Sequence, residues 1–255
     1  MYIIKTVDSQ IYVEKLNSGS YELTFDIPYV IESLEEISKT MGKLNERSFM
    51  DGNRNVSGLL GEYLFFQLFR TKVKYVGNNI FDYDFISVSR KTYDVKTKTQ
   101  GVDVDPIVGK SEPFDASIPL YSQGMKCDDY VFLRVHKNFQ KAWLLGWIKK
   151  EDYFNHDQIK ILKKGKTDGW NQMMVKCNSA NLKYQYLNRF NLTNKHFRNI
   201  NSSDSIQKSG EYLKILKKCK LNLSKTENLM FLRKNGDILI EIFPRKILNT
   251  ESSKR

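Results

Sequence analysis

Residues 80–100, IFDYDFISVSRKTYDVKTKTQ, decide how this chain is read. Two short strand-like segments flank the polar tripeptide Ser89-Arg90-Lys91, which suits the turn of a β-hairpin. Side chains alternate between the two faces of a strand, so Asp94, Lys96, Lys98 and Gln100 fall on one face of the second segment. A three-residue loop at Ser89 to Lys91 predicts Asp84 directly opposite Lys96 and diagonal to Asp94, with both carboxylates in reach of one cation. Phosphodiester hydrolysis has use for that grouping. A hard divalent cation neutralises charge on the phosphoryl group and acidifies a bound water, and Mg²⁺ takes carboxylate, carbonyl and water oxygens. Asp84, Asp94 and the Val95 carbonyl are the candidate metal ligands. The Lys96 ammonium is positioned to orient or deprotonate the attacking water, or to stabilise charge developing on the phosphate.

Upstream, residues 56–69 are apolar almost all round and free of proline, which predicts a helix buried against a sheet. Glu62 is the sole charged residue between Arg54 and Arg70. It reads either as an outer metal ligand acting through water or as a buried acid paired with Lys72 or Lys74. Before it, residues 1–13 and 21–27 read as strands, and residues 29–44, with Ile31, Leu34, Ile37 and Met41 at helical spacing, as an amphipathic helix.

The order of these features resembles the PD-(D/E)xK nuclease superfamily, in the style of archaeal Holliday-junction resolvases and type II restriction enzymes. The resemblance rests on Gly61-Glu62 in the first core helix, Asp84 before Phe85-Ile86, and Asp94-Val95-Lys96. It covers residues 56–100, and more loosely the strands up to about 148. It implies a restriction-endonuclease-like α/β/α core around a mixed sheet and Mg²⁺-dependent cleavage of DNA, with Mn²⁺ as a substitute. It assigns Asp84 and Asp94 as metal ligands, Lys96 as the catalytic lysine and Glu62 as the helix acid. Tyr83 stands where the family has proline, and Asp82, one pleat away, competes with Asp84 for the metal. Relatives of this kind often act as dimers, so the resemblance leaves a homodimer open. The competing reading is a nuclease-like fold that binds DNA or assembles with a partner without cutting.

Residues 101–123, with three prolines and two glycines, read as a long loop near the site, and residues 130–135 and 142–148 as two further strands. Glu151 to Phe154 suggests a short helix, and residues 173–176 and 182–187 are further strand candidates. Trp143 and Trp147 read as core. Residues 1–198 are taken as the nuclease-like domain with its N-terminal extension. Residues 199–209 look like a linker, and 199–255 form a small basic α+β appendage. In it Tyr212, Ile215, Leu216 and Cys219 make one helical face, and Lys214, Lys217 and Lys218 another. A hairpin is centred on Asn235-Gly236.

The chain of 255 residues is 40% hydrophobic, enough for a sizeable core. Forty-one Lys and Arg against 29 Asp and Glu give a net charge of +12, which suits a polyanion such as DNA. Lys98, Gln100, Lys214, Lys217 and Lys218 are the candidate contacts to its phosphates. With no apolar run of bilayer length, a membrane partner is not expected, and the protein is read as soluble and intracellular. Cys127, Cys177 and Cys219, and His136, His156 and His196, are too dispersed for a disulfide framework or a zinc site.

Overall fold

A computed structural model describes residues 1–42, 53–76, 82–108, 115–165, 177–217, 229–234 and 237–242. In chain order the elements are β1 (Tyr2–Lys5), β2 (Gln10–Lys15), β3 (Tyr21–Phe25), α1 (Pro28–Gly42), α2 (Asn53–Phe69), β4 (Val73–Tyr75), β5 (Phe85–Ser87) and β6 (Thr92–Gln100). There follow β7 (Asp115–Pro119), β8 (Asp129–His136), β9 (Lys141–Lys149), α3 (Lys150–Phe154), β10 (Lys160–Leu162), β11 (Ser179–Lys183), α4 (Asn194–Ile200) and α5 (Ser203–Lys208). Then come α6 (residues 211–217), β12 (Leu229–Lys234) and β13 (Asp237–Ile242).

Eight strands join in one sheet in the order β1-β2-β3-β9-β8-β6-β5-β4. Only β6 and β8 run parallel among these pairs, so the sheet is mixed but mostly antiparallel. The alternation along β6 sorts its residues between two cores. Val95 joins Val131, Leu133, Val135 and the α2 side chains on one side. The opposite face of β8 and β9 packs Tyr130, Phe132, Trp143 and Leu145 against Ala116, Ile118, Tyr153, Ala180 and Leu182. Helices therefore cover the first face. The second is covered by a three-stranded sheet, β10-β11-β7, with α3, where the resemblance implied a helical layer. The reason lies in residues 101–123: the expected loop holds β7 and a 3-10 turn at Leu120–Gly124, and its alternating Ala116 and Ile118 bury on that face.

Helix α2 is buried all round its circumference, as its composition predicts. Leu60, Leu64 and Leu68 are fully enclosed, and α2 packs against α1, β4, β6 and β8. Gly61 permits that approach. A Cβ there would meet the Thr97 side chain of β6, with Oγ1 only 1.9 Å away.

The expected linker at 199–209 is mostly helical, and the boundary drawn at 198/199 falls inside α4. Ile200, Tyr212 and Leu216 belong to the same core as α2. Arg70, at the end of α2, binds the region together. It is buried, with Nε donating to Ser205 O at 2.8 Å, Nη2 to Lys5 O at 2.7 Å and to Ile200 O, and Nη1 to Gln67 O at 2.9 Å. Burial lowers its pKa to about 10, still charged at neutral pH. Each orphaned buried acceptor costs about 1–3 kcal/mol. Arg70→Met is therefore expected to destabilise the protein by about 3 kcal/mol or more, read from urea unfolding; an unchanged midpoint would refute this role.

In the C-terminal segment β12 and β13 pair antiparallel around the expected turn, from Leu229 opposite Ile242 to Lys234 opposite Asp237. Asn235-Gly236, Lys218, Cys219 and the strand candidate 173–176 lie outside the described residues. Among the described residues no helix is long and apolar enough to cross a membrane.

Candidate functional site

Strand β5 is short. It pairs Phe85 with Tyr93 and Ile86 with Thr92, and the Ser87 amide donates to Lys91 O at 2.8 Å. The hairpin loop is thus Val88-Ser89-Arg90, closed by Arg90 at φ 65°, instead of the expected Ser89 to Lys91. The paired register ends at Phe85–Tyr93, two residues from the one that would have set Asp84 opposite Lys96. A slip of two residues leaves the alternation of faces untouched, whereas a slip of one would have reversed it.

Asp84 stands where β5 leaves β6. Its amide donates to Tyr93 O at 2.9 Å, and its Oδ2 accepts from the Val95 amide at 2.7 Å. In a strand the N–H and C=O of one residue point to the same edge. The Val95 carbonyl is accordingly directed toward the edge that Asp84 caps. The contact to the Val95 amide is made by Asp84 and not by Asp82.

Burial, then Glu62, then Asp94 push the Asp84 carboxyl well above its ordinary value of 3.8, against the pull of the Val95 amide and Lys96. Three carboxylates therefore share one neighbourhood. Lys96 Nζ lies 2.6 Å from Asp94 Oδ2 and 5.8 Å from the centre of the Tyr130 ring. Burial works against its charge, but Asp94 and Asp84 outweigh it and hold the lysine above its ordinary range. It is an ammonium at neutral pH. Behind them Glu62, half-buried on α2, accepts a hydrogen bond at Oε2 from the Tyr212 hydroxyl at 3.0 Å. Tyr212 was legible in the sequence only as part of an apolar helix face; nothing local in the chain pointed it at Glu62.

Among the described residues no three His, Cys, Asp or Glu side chains stand close enough to chelate a metal ion unaided. Asp84 and Asp94 are the carboxylates that could hold a cation here, with Glu62 behind them.

The outlying candidates divide. Lys98 is half-exposed, with Nζ donating to Ser117 Oγ on β7. Gln100 is buried, and its amide donates to Val102 O at 2.9 Å and Val104 O at 3.0 Å, so both protons brace the loop and neither is left for a phosphate. Lys214 is exposed on α6, and Lys217 lies 5.7 Å from the centre of the Tyr29 ring. Trp143 is core, as expected, with Nε1 donating to Glu22 Oε2. Burial, with Asp94 nearby, pushes the Cys127 thiol up to about 11, which makes it a poor nucleophile. Buried His196 is held neutral, its Nε2 2.8 Å from Leu68 O.

The raised carboxyl of Asp84 has a consequence for stability. Above about pH 3.8 the folded site holds this proton more tightly than the unfolded chain does, so stability falls as pH rises toward the folded pKa. Asp84→Asn removes the burdened charge and keeps an oxygen for the Val95 amide. Without metal it is expected to melt a few degrees above the parent at pH 7, with a flatter profile between pH 4 and 7. Melting curves in EDTA with matching slopes would contradict this.

Comparison with protein-family models, with curated proteins and with solved structures gives no match to this chain.

Proposed function

We propose that this protein is a divalent-metal-dependent nuclease of the PD-(D/E)xK class that hydrolyses DNA phosphodiester bonds, on a restriction-endonuclease-like fold. The observation that carries the reading is the meeting of Asp84 with Asp94 and Glu62, and of Asp94 with the Lys96 ammonium, at the point where β5 departs from β6. Among the described residues these acids outnumber the ammonium beside them, and a cation would relieve their mutual repulsion. Further support comes from the parallel β6–β8 pair, which makes the sheet mixed, and from the net charge of +12, suited to a polyanion.

When bound, Mg²⁺ supplies a Lewis acid and a water of lowered pKa. Asp84 and Asp94 hold the ion, and the Asp84 contact to the Val95 amide fixes one carboxylate against the strand that bears the other. Lys96 is protonated, so its part is electrostatic: it orients the water and stabilises the charge that grows on the phosphate. Lys98, Lys214 and Lys217 are the candidates for contact with flanking phosphates, where they would contribute salt-sensitive affinity with little reading of sequence.

The test incubates the full chain with supercoiled, linear and branched DNA in Mg²⁺, Mn²⁺ or EDTA, beside Asp94→Ala. Cutting that needs the metal and Asp94 is expected. Binding without cleavage under every condition would favour the non-cleaving module, and cutting that persists in EDTA would reject the site.

A further inference from the structure

We propose that Tyr212 is a positioning residue that aims the Glu62 carboxylate at the divalent ion, making α6 a working part of the site; this rests on the nuclease reading above. The two residues are 150 positions apart in sequence, yet the Tyr212 hydroxyl donates to Glu62 Oε2 at 3.0 Å. The terminal torsion of a glutamate is broad, so a half-buried Glu on a helix does not aim itself. A donor fixed on one oxygen is among the contacts that set where the other points.

Tyr212 is built to be that donor. It is fully buried, and its ring centre lies 4.7 Å from that of Tyr75, 5.7 Å from Phe66, 5.9 Å from Tyr63 and 6.4 Å from Phe85. Those rings come from β4, α2 and β5, the elements that carry Glu62 and lead into and out of Asp84. The phenol is thus referenced to the same frame as the acids it serves. The phenol hydroxyl is the donor in the contact with Glu62. The Lys214 side of the same helix faces outward. One element therefore presents a charged face to solvent and a proton donor to the site.

Hydrogen bonds that orient a metal ligand typically control affinity by about 10–100-fold. The experiment measures Mn²⁺ binding to the metal-free full chain by electron paramagnetic resonance, without DNA, for the parent, Tyr212→Phe, Glu62→Gln and the double variant. Phenylalanine keeps the ring packing and removes the donor. We expect Tyr212→Phe to bind Mn²⁺ at least about tenfold more weakly, and to cause little further loss in the Glu62→Gln background, because it acts through that acid. Cutting by Tyr212→Phe should recover at saturating Mg²⁺.

Equal Mn²⁺ affinity in the parent and Tyr212→Phe would overturn this inference and leave the nuclease reading standing. An equal loss in both backgrounds would also overturn it, because that is the mark of a merely structural residue. A parent that binds no Mn²⁺ would remove both.

Discussion

Lys96→Ala is expected to cut DNA about 10²–10³-fold more slowly than the parent at saturating Mg²⁺, the usual loss when one preorganised donor to a developing anion is removed. Two features of the site set that size. The ammonium is 2.6 Å from Asp94 and half-buried, so its field is attenuated less than that of a fully exposed lysine. It is also charged in the metal-free site. Lys96→Arg should recover little, because a planar fork cannot replace a compact ammonium against Asp94. The loss should appear in kcat, with Mn²⁺ binding retained or tightened, since a positive charge has left the metal's surroundings. Asp94→Asn should instead lose metal binding and cleavage together. Single-turnover rates and Mn²⁺ titrations separate the two patterns; a Lys96→Ala enzyme within about threefold of the parent would remove Lys96 from the mechanism.

The second large effect is on the fold. Gly61→Ala is expected to destabilise the protein by about 3 kcal/mol or more, the upper end for overpacking a core. The added methyl would sit 1.9 Å from Thr97 Oγ1 and 2.9 Å from both Thr97 Cβ and Cγ2. Thr97 is β-branched and cannot turn both arms away, so α2 must lift from β6. Glu62 is the next residue and would move with the helix, so activity should fall beyond what the unfolded fraction accounts for. Thr97→Ala removes two of the three clashing atoms. The double variant should regain part of the lost stability, a coupling that a thermodynamic cycle on urea midpoints measures. Additive effects of the two substitutions would mean that the helix and strand do not meet as described.

This contact shows how the local and distant parts of the structure differ in legibility. Helix α2, strands β8 and β9, and the alternation that divides Val95 from Asp94 and Lys96 could all be read in the chain, because periodicity and apolar content are properties of neighbours in sequence. The loop after Ser87 differs from the sequence reading by one residue and the β5–β6 register by two. Turn closure depends on whether a residue such as Arg90 accepts a left-handed conformation, and no pattern of hydrophobicity reports that. The slip was harmless to the site because it was even.

Residues 101–123 and 199–209 were read as loop and linker on their polar, broken composition. The apolar side chains of the first bury against a sheet face, and backbone carbonyls of the second are met by the Arg70 guanidinium.

The linear chain therefore specified which residues have the chemistry: acids and a lysine at fixed short spacings, on segments with periods of their own. The assembled chain set their company. Gly61 against Thr97, Asp84 at the Val95 amide, and Tyr212 at Glu62 are meetings across 36, 11 and 150 residues. Such contacts form when separate elements bury their apolar faces together, and the free energy that selects them belongs to the packed whole and to no single segment.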